Sequence, residues 1–292
     1  MDKTNTVNKT NKSYTFLLIA DFISSFGSSM TNVAVTIYIF SITQDLLLAA
    51  LFPLVSLLPR LIITPFVNKF HINGSYKALF IVGEILAGIT ISSMLWLKNI
   101  YVMLAVFALY SAIFFVLELY RAEYLKIIST DAKIVSRKSI SQVVNSFVEV
   151  VAPIVAGIVL QMLGSNLVFI IDVISYIIAA LIILFIDNTK IINCQPESLE
   201  TKKKATFKNL LDKIKLTKNS NIFIGTLAVT FIGGVTSLLT LSYVLHFLKS
   251  SEIIYTVLIA LLSLGSMLGS ALVNIKFFQK NSKSISSICL LL

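Results

Sequence analysis

Six ionisable side chains stand in or at the ends of apolar runs: Asp21, Arg60, Glu84, Glu118, Glu149 and Asp172. A charge at the centre of a bilayer costs about 2.5–3.5 kcal/mol on insertion scales, so it faces a partner or a polar interior. Six in one chain predict a water-accessible pathway through a helical bundle. A carboxylate in a low-dielectric cavity has its charged form disfavoured and can exchange a proton near neutral pH. That is the chemistry proton-coupled transport requires.

Each group also has a purely structural reading. Arg60 reads either as a pathway residue or as a cation that only neutralises an acid. Glu118 and Arg121 are three apart at a helix end, which predicts a local surface ion pair. Glu84 could snorkel to the inner surface. Asp21 is followed by Ser24, Ser25, Gly27, Ser28 and Ser29. Such a polar, small-residue face suits a cavity better than lipid. Glu149, in the inner half of its run, is the next cavity candidate.

Other chemistries lack their residues. There is no GxxxxGK[ST] phosphate loop, so ATP-driven transport is not expected. His71 and His246 stand alone, and the two cysteines, Cys194 and Cys289, make no metal spacing. No nucleophile–base pair is suggested. The expectation is therefore no enzyme, no metal and no cofactor.

The elements that must position these charges are long apolar helices. The chain is 57% hydrophobic and only 13% charged, against roughly a quarter charged for soluble domains, which excludes an ordinary soluble fold. A helix needs about 20 apolar residues to cross a bilayer. Eight runs meet this: 14–42, 46–70, 76–97, 101–120, 140–163, 167–186, 221–248 and 253–278. A ninth begins near Ile285 and is too short to cross. The fold expected is an all-α integral membrane bundle, organised as a six-helix first half (1–186), a basic linker (187–220) and an incomplete second half (221–292).

Basic residues fix the orientation. Alternating the loops from a cytoplasmic N-terminus puts 21 of the 24 Lys and Arg on the inner side. The outer side takes only Lys98 and Lys249, and Arg60 lies inside a run. Basic loops stay cytoplasmic. The net charge of +10 thus reflects contact with anionic membrane lipids rather than nucleic acid. Within the linker, Phe207, Leu210, Leu211 and Ile214 recur at helical spacing among lysines, which predicts an amphipathic helix on the inner leaflet. The outer loops are too short for an external domain.

Helix contact is written in small residues. Pro153 lies inside the fifth run beside Ala152, Ala156 and Gly157. Proline frees a backbone carbonyl, and small residues admit a neighbouring helix. Gly265 and Gly269 form a GxxxG in the eighth run. These features fit helices that move against one another and equally fit tight packing.

Six spans, a long basic loop and a second set of spans resemble the major facilitator superfamily, whose two halves are parallel repeats. The local motifs are closest to its drug–proton antiporter branch, which contains macrolide efflux proteins. Leu58-Pro59-Arg60-Leu61 resembles that branch's Pro-Arg-Leu in the second helix. Ala152-Pro153 and Ala156-Gly157 stand where its antiporter motif has Gly-Pro and Gly-Gly. The run Ile171–Tyr176 is similar to its Asp-Ala-x-Ser-Phe. The gate motif between helices two and three departs: Asn68-Lys69 is the nearest equivalent to its Asp-Arg, the glycine is missing, and the basic cluster is reduced to Lys77. The resemblance implies twelve helices, whereas this sequence ends inside a ninth, as a fragment, a truncated form or one part of a two-polypeptide protein would.

The function this implies is proton-coupled efflux of small amphipathic, macrolide- or drug-like compounds across the plasma membrane by alternating access. Asp21, Arg60 and Glu149 would line the cavity, with Glu84 on the pathway and Asp172 towards its outer side. Asn68, Lys69, Glu118, Arg121, Pro153 and Gly157 would serve gating and packing. The partners would be a small-molecule substrate, protons and lipids. The rival is a non-transporting membrane protein, such as an immunity or assembly factor, on a transporter scaffold.

Overall fold

The computed structural model describes residues 3–63, 74–97, 99–129, 131–188, 240, 243–248 and 252–273. They form seven α-helices: α1 Lys3–Thr43, α2 Leu46–Ile63, α3 Tyr76–Ser93, α4 Ile100–Ile128, α5 Asp131–Leu163, α6 Ser165–Ile183 and α7 Glu252–Val273. A single π-helical turn, Tyr243–Phe247, precedes α7. Among the described residues, five helices are long and apolar enough to cross a membrane. The eight-span count expected from hydropathy is therefore not reproduced by the described helices. Most of the expected run 221–248, the linker helix at Phe207–Ile214, the start of a ninth run, Asn68 and Lys69 lie outside the described residues.

Local sequence sets the helix ends. Ser75 caps α3, its hydroxyl accepting from the Ala78 amide, and Asn99 caps α4 by accepting from the Tyr101 amide at 2.9 Å. Between α5 and α6 the chain turns on Gly164 at φ +81°, a conformation glycine adopts without a Cβ penalty.

Two helix ends differ from expectation, and the difference matters. Hydropathy places Arg121–Lys138 in a polar inner loop. Instead α4 runs on to Ile128 and α5 starts at Asp131. Charged residues lower the hydropathy of a segment without lowering its helix propensity. Arg121 is thus a helical residue held on the bundle's inward side.

α1 is the centre of the bundle. It packs against α6, α5, α2 and α4, while α3 packs on α4 and α6, and α7 on α5. On α6, Phe169, Asp172, Tyr176, Ala179 and Ile183 face inward, while Ile170, Ile174, Ile177 and Leu181 are exposed along the opposite stripe. An apolar outer stripe is what lipid requires, because association in a bilayer rests on packing and polar contacts rather than on hiding apolar surface.

The buried side chains form two apolar clusters. One includes Met30, Val33, Ala87, Ile91, Met103 and Phe107. The other includes Leu17, Ala20, Tyr76, Phe80, Tyr124 and Ile183. On α1 and α3 the buried residues between these clusters are polar or small, namely Ser24, Gly27, Ser28, Gly83 and Glu84, with Asp21 half-buried beside them.

Candidate functional site: a membrane cavity walled by charge

A cavity of about 870 Å³ lies between α1, α2, α4 and α5. Each wall is one helical stripe. α4 contributes Phe107, Ser111, Phe114, Glu118, Arg121 and Leu125; α5 contributes Lys138, Ser141, Gln142, Asn145, Val148 and Glu149. Spacings of three and four residues place such positions on one face.

Arg121 is the focus. Its guanidinium donates to the carboxylate of Asp21 on α1 and to that of Glu84 on α3. A third, longer bond reaches Ser24 Oγ at 3.3 Å. One cation therefore ties three helices together. Asp21 and Arg121 line the cavity, whereas Glu84 is fully buried behind them. Glu84 Oε2 and Arg121 Nε have no hydrogen-bond partner among the described residues.

This arrangement overturns two expectations. Arg121 does not form its ion pair with Glu118, three residues away; it turns inward to acids on other helices. Glu84 does not snorkel, since it is sealed from solvent against Arg121. The expected pairing fails because an inward guanidinium surrounded by α1 and α3 meets two carboxylates there, one of which, Glu84, is fully desolvated and requires a cation.

Glu118 pairs instead with Arg60 across α2 and α4, at 3.1 Å, with both side chains about half exposed. The Arg60 guanidinium also lies 5.6 Å from the Phe115 ring centre. Both residues line the cavity, as does Glu149.

Asp172 does not line it. It is wholly buried where α6 meets α1, and it accepts from Ser175 Oγ at 3.4 Å. A Cβ on Gly27 would collide with Ser175 Oγ and the Asp172 carboxylate, so glycine is what lets α1 and α6 approach. Pro153 and Gly157 also lie off the cavity. Gly157 fits against Thr256 of α7, too close for an added Cβ. Gly265, in the GxxxG, meets nothing within 4 Å, so it makes no close helix contact among the described residues.

Two features were not anticipated. Tyr110 and Tyr176 share a buried hydroxyl contact of 2.7 Å, and Tyr176 makes another of 2.7 Å to Ser28. Ser28 in turn donates to the Ser24 carbonyl at 2.6 Å. This hydroxyl chain runs from the cavity wall at Tyr110 to the serine face of α1. The second feature is a clasp at the other end. Arg137 of α5 donates to the Ile128 carbonyl at 2.8 Å, to Ser129 Oγ and to Asn11 Oδ1, and stacks over Tyr14. Ser13 donates to Asp187, closing α1 onto the end of α6.

Comparison with known proteins adds family membership. No curated protein sequence matches the chain. The family model described as Major Facilitator Superfamily matches residues 17–292. With helices long and apolar enough for several membrane crossings, this chain belongs to the Major Facilitator Superfamily of multi-pass membrane transporters.

Proposed function

We propose that this transporter is a proton-coupled exporter of small amphipathic compounds, macrolide- or drug-like, working in the plasma membrane by alternating access. In this reading the N-terminus is cytoplasmic, as the one-sided distribution of Lys and Arg supports. Residues 1–186 form the first half, 187–220 the inner linker, and 221–292 belong to the second half.

The observation that carries the reading is the Asp21–Arg121–Glu84 cluster on the cavity wall. Of the two acids on Arg121, Asp21 is the one that lines the cavity, and in this reading it carries the coupled proton. Ionised, it holds Arg121 and ties α1 to α4. Protonated, it no longer matches the guanidinium's charge, and Arg121 rests on Glu84 and Ser24 alone. Proton arrival thus weakens one specific tie between α1 and α4, which is the kind of bias a two-state bundle needs. The resemblance to the drug–proton antiporter branch supports the direction of transport.

The test uses inverted membrane vesicles containing the protein. An acidic interior should drive uptake of a fluorescent dye or macrolide, and a protonophore should stop it. Asp21→Asn should abolish gradient-driven uptake, and Glu84→Gln should sharply reduce it. Full uptake in both variants would remove this cluster from the coupling mechanism.

A further inference from the structure

α1 and α4 are joined at two levels. In the first tie, Arg121 of α4 holds Asp21 and Ser24 of α1. The second lies about 10 Å further along α1, at 1.5 Å per residue. There Tyr110 of α4 reaches Ser28 through the Tyr176 hydroxyl, in two contacts of 2.7 Å. Asp21, Ser24 and Ser28 follow one another at spacings of three and four, so they share one face of α1. Apart from these ties the two helices have little in common: α4 touches α1 less than α6, α5 or α2 does.

Tyr176 belongs to the α1 side of the second tie. It stands on α6, the most extensive neighbour of α1 among the described helices. Gly27 brings these two backbones close, since a Cβ there would strike Ser175 and Asp172. A hydrogen bond from Tyr110 to Tyr176 therefore fastens α4 to the α1–α6 pair.

The direction of the chain follows from Ser28. A hydroxyl has one hydrogen to donate. That of Ser28 goes to the Ser24 carbonyl at 2.6 Å, and a carbonyl only accepts. Tyr176 then donates to Ser28 Oγ, and Tyr110 donates to the Tyr176 oxygen. All three hydrogens are committed. The chain opens when a group in the cavity takes the hydrogen of Tyr110 or of Ser28, both of which line the cavity, as Tyr176 does not. An acceptor oxygen on a bound molecule is such a group.

The two ties thus answer to different ligands. In the transport reading above, a proton on Asp21 weakens the first. A substrate seated between Tyr110 and Ser28 opens the second. The empty, deprotonated protein keeps both and is held. Strict exchange requires that hold, because a carrier that reorients empty passes protons down their gradient without substrate.

We propose that the Tyr110–Tyr176–Ser28 chain is the substrate-released half of this lock, with Tyr176 as the positioning residue that keeps the empty transporter from reorienting. This rests on the transport reading and names the coupling device of the same cavity. Its substrates carry a carbonyl, ether or hydroxyl oxygen that accepts from Tyr110 or Ser28.

Proton movement through the full chain in proteoliposomes tests the lock. The vesicles enclose pyranine in acidic buffer, with valinomycin and potassium clamping the voltage. Erythromycin, a macrolide with ketone, lactone, ether and hydroxyl oxygens, is the added probe. The quantity read is proton efflux without erythromycin divided by proton efflux with it. Both fluxes scale with the amount of folded protein, so a variant that is only less stable leaves the ratio unchanged. In the unaltered protein, efflux should depend on erythromycin. Tyr176→Phe should raise the ratio at least about fivefold, the factor that one neutral hydrogen bond contributes. Tyr110→Phe breaks the same chain and should raise it equally, so the outcome does not hang on one variant folding. An unchanged ratio in either folded variant overturns the proposal and leaves the transport reading in place. An unaltered protein whose proton efflux does not respond to erythromycin overturns both.

Discussion

Arg121 and Arg60 are both arginines set in apolar helices beside carboxylates, and their surroundings differ in degree of enclosure. Around Arg121 the exposures are 9% for its side chain and 0% for that of Glu84, and two acids share one cation. For Arg60 and Glu118 they are 48% and 54%. Removing one partner from a buried ion pair leaves a desolvated charge, whereas an exposed pair is re-solvated by water. The first cluster is thus costly to break and holds an unequal charge count that a proton can adjust. The second is open to water and replaceable.

The largest expected effect is at the enclosed site. Arg121→Leu strands Asp21 and Glu84, and thermal unfolding in detergent should show a loss of about 3–5 kcal/mol. Combining it with Asp21→Asn and Glu84→Gln should recover much of that loss, because no charge is then left unpaired. A triple variant no more stable than the single would break the comparison. Next in size is Tyr176→Phe, which removes the hydroxyl shared by Ser28 and Tyr110 and leaves both in a buried setting. The expected cost is about 1–3 kcal/mol.

Helix contacts give a smaller contrast of the same kind. Gly157→Ala forces a methyl against Thr256 and should cost about 1–3 kcal/mol, as overpacking does. Gly265→Ala meets nothing within 4 Å among the described residues and should be neutral or stabilising by up to about 1 kcal/mol through helix propensity. At the exposed pair, Arg60→Ala should cost about 0–1 kcal/mol in stability. A loss as large as that of Arg121→Leu would show that water does not reach the Arg60 side of the cavity and would erase the distinction drawn here.

Much of this architecture is legible in the sequence. Apolar runs mark the helices because the bilayer sets their length. Isolated charges within them mark the interior because lipid rejects charge. Asp21 stood out for its serine-rich neighbours, and it does line the cavity. What hydropathy could not show is where a helix ends once charged residues enter it, since such residues are as helix-prone as many apolar ones. For that reason Arg121 reads as part of a loop in the sequence and is a buried helical residue in the structure. Its spacing held a usable signal: Phe107, Ser111, Phe114, Glu118, Arg121 and Leu125 keep one helical face across the expected boundary at Tyr120.

Partner choice was the other illegible part. Glu118 lies nearer to Arg121 in sequence than Asp21 or Glu84 does, yet tertiary packing aims the guanidinium elsewhere. The Tyr110–Tyr176–Ser28 chain joins three helices through hydroxyls that each look like ordinary span residues when taken singly. Asp172 has the residue type of a pathway acid and a location at the close α1–α6 contact, which only the Gly27 approach reveals.

In the proposed mechanism the Asp21–Arg121–Glu84 cluster couples transport to protons. Its most direct test compares gradient-driven uptake with gradient-free substrate exchange in inverted vesicles carrying Asp21→Asn. Loss of gradient-driven uptake with exchange retained is the predicted result, because binding and alternation survive while coupling does not. Gradient-driven uptake equal to that of the unaltered protein would contradict the account.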